Sequence, residues 1–301
     1  MQTEAIFNVD KAKIVFDILI DSFDKKAVHW FSDDNLPQKA LLPEGLVPGS
    51  AEHTKFLFFI APFMRARVDS SWVFKRFQIL YNSPENNYMG RQLFIPEQHI
   101  KQDFNVILWI DVCLARAGLT FKSDEFVKIW HTNALNLKNF QYDPLKIFEN
   151  IVTYSDVWEK MIGNGFIGWR EKILSLLTLW YQEAGLLKRQ LLGVVPVDFH
   201  ALRVMMNTGV VVVSNEDDIF EVKAEAVIKN ILPFLRNFCY EQKVFVPSLS
   251  AALWLLSKFG CSNQKECYLC PIRKFCQFSM SYYSQANGKV IIKKKQQLLL
   301  L

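Results

Sequence analysis

The stretch Cys261-Ser262-Asn263-Gln264-Lys265-Glu266-Cys267-Tyr268-Leu269-Cys270-Pro271-Ile272-Arg273-Lys274-Phe275-Cys276 gathers four cysteines within sixteen residues. Four soft thiolates this close along a chain can wrap one metal centre without help from distant segments. Two chemistries compete for such a set, a [4Fe–4S] cluster and a Zn2+ held by four thiolates. Zinc ribbons pair two short Cys-x2-Cys knuckles across a longer spacer. Here one short gap lies between two longer ones, and Pro271 directly follows a cysteine, as in cluster-binding loops. Cys261, Cys267, Cys270 and Cys276 are therefore read as ligands of a [4Fe–4S] cluster, with Zn2+ as the alternative. The bland reading, disulfides or four unrelated core cysteines, wants an oxidising compartment that no leader peptide announces.

The rest of the composition suits a helical protein. Of 301 residues half are hydrophobic, 25 are Phe, and only 12 are Gly and 11 Pro, so a sizeable core is available and helix breakers are scarce. The formal charge of +5 permits a polyanionic partner without demanding one. No apolar run is long enough to span a bilayer. Met1-Gln2-Thr3-Glu4-Ala5 lacks the basic and apolar regions of a signal peptide, so a cytoplasmic location is expected. Nothing calls for a membrane or for a protein partner, and the Lys- and Leu-rich end reads as a frayed tail.

Outward from the cysteines, helical periodicity dominates. Expected helices cover Lys11–Phe23, Ala51–Met64 capped by Ser50, a segment capped by Ser70 or Ser71, Phe104–Ala117, and Ser123–Leu137 capped by Ser123. The second of these is apolar on nearly every side and should be central. Ser155 is placed to cap the next helix, and Arg170 and Lys172 open another. Asp198 is placed to cap a helix starting at Phe199. A long helix is expected from Phe220 to Phe238 with a kink or break at Pro233, and Ser248 should start the helix that reaches Cys261. Val210–Val213 and Val290–Ile292 are the best strands. The lobe boundary is placed near Phe140–Pro144. That divides the chain into an N-terminal helical region, 1–140, a helical domain, 141–260, the cysteine loop, 261–276, and a tail, 277–301.

Three segments, in order, resemble the helix-hairpin-helix DNA glycosylases of the endonuclease III type. Gly165-Phe166-Ile167-Gly168-Trp169-Arg170-Glu171-Lys172 is similar to that family's Gly-aromatic-x-x-x-Arg-x-Lys helix opening. Val197-Asp198-Phe199-His200-Ala201-Leu202-Arg203 is similar to its Val-Asp-x-His-x-x-Arg segment, and the cysteines to its [4Fe–4S] loop. The resemblance spans roughly Asp143 to Cys276. It implies a mainly α, two-lobed glycosylase-like fold with a C-terminal iron–sulfur loop, an N-glycosidic hydrolysis, and Asp198 as the catalytic carboxylate. The family's Leu-Pro-Gly-Val-Gly hairpin is not visible: Leu186 to Val194 leave no room for another helix before Asp198. At the position of the Schiff-base lysine stand Trp180 and Tyr181, so water is the expected nucleophile and no strand cleavage is expected.

The other candidates are weighed residue by residue. Arg170 and Lys172 are cations at a helix start, opposed to the dipole, which a bound polyanion relieves as well as solvent does. His200 suits a hydrogen bond beneath its helix, and Arg203 an ion pair or a phosphate. Lys265, Arg273 and Lys274 form a basic rim on the cysteine loop, which in the family touches DNA. Trp72, Phe166 and Trp169 are candidates for stacking on an extruded base, although core packing competes for each. The leading expectation is a monofunctional N-glycosylase removing a modified or damaged base from DNA. The alternatives are an N-glycosidase of a free nucleoside or nucleotide, of the queuosine type that dispenses with the hairpin, and a catalytically inactive DNA-binding iron–sulfur module.

Overall fold

The computed structural model describes residues 4–65, 68–83, 90–99, 105–189, 191, 194–214, 219–262, 264–277, 280–284 and 289–293. In chain order these form β1 (Glu4–Phe7), α1 (Val9–Asp24), α2 (Pro37–Ala40), α3 (Ala51–Ile60), α4 (Ser70–Asn82), α5 (Val106–Arg116), α6 (Ser123–Asn136), α7 (Tyr154–Gly163) and α8 (Glu171–Glu183). There follow α9 (Phe199–Asn207), β2 (Val211–Ser214), β3 (Ile219–Lys223), α10 (Ala224–Glu241), α11 (Val246–Leu255), β4 (Met280–Ser284) and β5 (Lys289–Lys293). The protein is mainly helical. Phe104, expected to open α5, and the tail 294–301 lie outside the described residues.

Local chemistry explains where most helices begin. Ser50 accepts a hydrogen bond from the His53 N–H and Asp198 accepts from those of His200 and Ala201, as their positions predict. Three caps differ from expectation, and α11 begins at Val246, with Pro247 in its first turn, so that Ser248 lies inside the helix it was expected to start. Asp69, one residue before the two serines, caps α4 by accepting from Trp72 N. Thr153, not Ser155, caps α7, and Asp156 completes a capping box with it. Ser123 is the first helical residue of α6 rather than its cap, because Lys122 takes the left-handed conformation just before it. Proline-bearing α10 runs unbroken through Pro233. Its expected first turn is instead strand β3, where Ile219–Lys223 alternate exposed and buried and pair with β5 in the register Phe220↔Ile292. A helix and a strand both fit so short an apolar segment, and the partner strand decides.

The chain divides into two compact units, Met1–Leu36 with Leu192–Leu301, and Pro37–Leu191. The break expected near Phe140–Pro144 falls inside the second unit. There Phe140 packs on Phe166 at 5.7 Å and Phe148 on Tyr181 at 5.3 Å, so the residues on both sides of that loop share one core.

In the second unit α3 is central, as its all-round apolarity requires. Phe59 stacks on Trp130 at 4.7 Å, Phe63 stacks on Phe126 at 4.1 Å, and Phe58 meets Trp169 at 5.0 Å. Buried His99 donates through Nε2 to the Leu93 carbonyl, which Trp130 Nε1 also reaches. Burial holds its pKa down at about 4, so the ring is neutral in the core.

The first unit joins both parts of the chain. Phe7 and Phe16 each meet Phe238 of α10 edge-on at 5.8 Å, α1 lies along α11, and Ser248 Oγ donates to the Asp24 carboxylate at 2.6 Å. Strand β1 pairs antiparallel with β2, and β3, β5 and β4 form an antiparallel sheet in that order. The segment read as a tail thus contributes two strands, held because Val290 and Ile292 are buried.

Candidate functional site

The first unit carries Asp198, His200, Arg203 and all four cysteines of the 261–276 stretch. Asp198 precedes α9 in extended conformation. Its Oδ1 accepts from His200 N at 2.8 Å and from Ala201 N at 3.1 Å, and its side chain is half-buried. The carboxylate is therefore fixed by its own helix, with negative charge at the positive end of the dipole.

Two turns of side chains tie α9 to the segment that delivers Cys261. After α11 the chain continues as a π-helical turn, Leu256–Gly260, and Cys261 N donates across it to Leu256 O at 2.7 Å. This wider turn sets Ser257, fully buried, against α9. Ser257 Oγ lies 3.1 Å from His200 Nδ1, and Ser257 O accepts from Arg203 Nη1 at 3.3 Å. The His200 ring also meets Trp254 edge-on at 5.9 Å, and the Arg203 guanidinium lies over Phe199 at 4.4 Å. Burial draws the Arg203 pKa down while Cys261 opposes that shift. His200 is thus a hydrogen-bonded ring held beside its helix, and Arg203 is spent on Ser257, Phe199 and the neighbourhood of Cys261. Ser257 carried no signal in the sequence. It is one small polar residue in an apolar helix, and a π-turn has no local signature.

The cysteine stretch is a series of tight turns. Cys270 N donates to Cys267 O at 3.2 Å, Arg273 N to Cys270 O at 3.1 Å, and Cys276 N to Arg273 O at 3.0 Å. Buried Ile272 pins it, and Gln277 N donates to Asn207 O at the end of α9 at 2.6 Å. All four thiols are half-buried. Burial pushes the Cys261 thiol up to about 12, with Cys270, Cys276 and Cys267 adding to the rise. Burial likewise pushes Cys270 up to about 11, with Cys276 and Cys267 contributing. Each of the four sulfurs thus lies within electrostatic reach of others. Among the described residues, no three His, Cys, Asp or Glu side chains stand at metal-ligating geometry. Thiols converge on one centre when a metal takes their protons, and the donor set is of the kind that a [4Fe–4S] cluster or Zn2+ takes.

Arg273 and Lys274 are exposed on this stretch, with Lys274 Nζ 5.0 Å from the Phe275 ring centroid. Arg170 and Lys172 belong to the second unit, the former exposed at the N-cap of α8 without a side-chain hydrogen bond to the helix, the latter half-buried in its first turn. Phe166 and Trp169 are buried among aromatic neighbours and do not offer a face for stacking. Trp72 remains half-buried beneath Arg76, whose guanidinium is 5.2 Å from its ring. Trp180 and Tyr181 are buried, the Tyr181 hydroxyl donating to Thr54 O at 2.9 Å. The described residues between α8 and α9 contain no helix.

Compared with family models, with curated proteins and with solved structures, the chain matches none.

Proposed function

We propose that the protein is a monofunctional N-glycosylase that hydrolyses the bond between a modified or damaged base and its sugar in DNA. The observation that carries this reading is the fixed carboxylate of Asp198, in one compact unit with the four thiols and joined to their approach through His200, Arg203 and Ser257. In such a reaction the C1′–N bond breaks as positive charge grows on the sugar, and the departing base takes up a proton. Water adds at C1′ and gives a proton to Asp198, which returns it to solvent, balancing the proton that the base takes from solvent. A carboxylate held by its own helix stabilises the growing charge without reorganising. No lysine takes part, since Trp180 and Tyr181 stand buried where the family's Schiff-base lysine is expected. Cys261, Cys267, Cys270 and Cys276 would hold the metal centre, which when bound supplies a cross-link that staples the loop to the rest of its unit. Within the unit that holds Asp198, the exposed Arg273 and Lys274 are the cations offered to phosphate.

A second reading has an observation of its own. The absence of helix among the described residues between α8 and α9 removes the hairpin that would grip DNA, which favours a free nucleoside or nucleotide as substrate. Both readings are tested together by incubating the protein with DNAs and with nucleotides bearing varied modified bases, and identifying released bases by mass spectrometry. Release from DNA supports the first reading and release from nucleotides alone the second. No release from either, together with retention of DNA, would leave a catalytically inactive DNA-binding module.

A further inference from the structure

A row of rings runs along the first unit from the opening of α9 to the cysteine stretch. The Phe199 and His200 centroids are 5.3 Å apart, those of His200 and Trp254 5.9 Å, and those of Trp254 and Phe259 6.3 Å. Cations are interleaved with them. Lys258 Nζ lies 4.5 Å from the Trp254 centroid and 5.8 Å from that of Phe259, and Arg203 covers Phe199. Many large aromatics among the described residues are fully buried, Phe56, Phe58 and Trp130 among them, but all four rings of this row are only partly so. An ammonium stays hydrated, so Lys258 marks the side of Trp254 and Phe259 that solvent reaches.

Rings interleaved with cations on a solvated face are the means by which proteins hold unpaired nucleotides, bases stacking on the rings while phosphates meet the cations. We propose that the row Phe199–His200–Trp254–Phe259 is a stacking platform for unpaired nucleotides of single-stranded or locally opened DNA. Arg203, tied to Ser257 O, steadies Phe199. Lys258, on its long flexible stem, moves from the ring to a phosphate as a base takes its place. The platform deepens the glycosylase reading, because Asp198 directly precedes its first ring and so adjoins the sugar of a nucleotide stacked there. Its existence does not require that reading.

Fluorescence anisotropy of a labelled oligothymidylate of about 15 nucleotides, with the full chain, tests the platform against the same strand annealed to its complement. The single strand is expected to bind more tightly than the duplex. Trp254→Leu should weaken single-strand binding about tenfold or more, while Trp254→Phe keeps most of it. Lys258→Gln should weaken binding and reduce the slope of log affinity against log salt by about 1. Lys258 is on the solvated side, so this variant stays informative even where Trp254→Leu fails to fold by circular dichroism. A preference for duplex, or Lys258→Gln binding with wild-type affinity and salt slope, overturns the platform. Base release is followed in parallel. Strand binding lost in these variants but no release from any DNA keeps the platform and sinks the glycosylase, whereas release with unchanged strand binding in the variants does the reverse.

Discussion

At the scale of single residues, Asp198 holds two roles that a substitution can separate. As a cap it needs an oxygen that accepts from His200 N and Ala201 N, and an asparagine Oδ1 supplies one at the same place. As a catalytic group it needs a charge, and Asn has none. Asp198→Asn should therefore fold with an unchanged circular dichroism spectrum and unchanged metal content. Base release should fall by a factor of about 10² to 10³, the usual cost of losing one preorganised electrostatic partner. Normal release from the folded variant would reduce Asp198 to a cap. The asparagine rather than the alanine is the decisive substitution, because Asp198→Ala removes cap and charge together and confounds the two.

At the scale of elements, the loop between α7 and α8 illustrates how backbone and side chain fix one another. Asn133 of α6 is buried and pairs both ways with the backbone of Ile167, donating to its O at 3.0 Å and accepting from its N at 2.9 Å. Asn136 donates to Gly165 O at 2.7 Å. The chain then turns at Gly168, whose φ of +83° suits glycine, and a Cβ added there would meet Ile129 at 2.8 Å. Gly168→Ala combines a left-handed alanine with overpacking, each of order 1–2 kcal/mol. A loss of about 2–4 kcal/mol in denaturant-derived stability is expected, and a loss below about 0.5 kcal/mol would show that Ile129 yields and the turn relaxes. Much at this scale was legible in the sequence because its causes are local. The apolar run Phe56–Ile60 and the caps Ser50 and Asp198 are read from a handful of neighbours. Where several capping residues crowd together, as at Asp69-Ser70-Ser71 and Thr153-Tyr154-Ser155-Asp156, propensity could not choose between adjacent positions. What decides there is which side chain reaches back to the second or third N–H. Strand β3 and the π-turn at Ser257 were not legible at all. The first depends on a partner strand some seventy residues further on, the second on how α11 meets α9.

At the scale of the whole molecule, the sequence pointed to a mainly helical chain ending in a cysteine-rich stretch, but not to how the chain is shared between compact units. That division follows from residues far apart meeting, Phe7 and Phe16 with Phe238 and Asp24 with Ser248, and no window of sequence contains such pairs. It also gives the cysteine stretch its consequence. The loop follows α11, which lies along α1, and precedes β4 and β5, whose sheet includes β3, so a cross-link within it bears on elements from both parts of the first unit. Taking four protons from desolvated thiols such as Cys261 and Cys270 requires a metal that binds tightly, and its binding free energy is then folding free energy. Protein purified without oxygen should be brown, carry about four irons per chain, and show the broad visible absorbance of a cubane cluster. Cys267→Ser or Cys270→Ser should bleach it and lower its unfolding temperature. One zinc per colourless chain would replace the cluster by Zn2+ while keeping the staple. Metal-free wild type that is as stable as the same protein reconstituted with iron and sulfide, or with Zn2+, would sink both, because the four thiols would then contribute nothing that four serines could not.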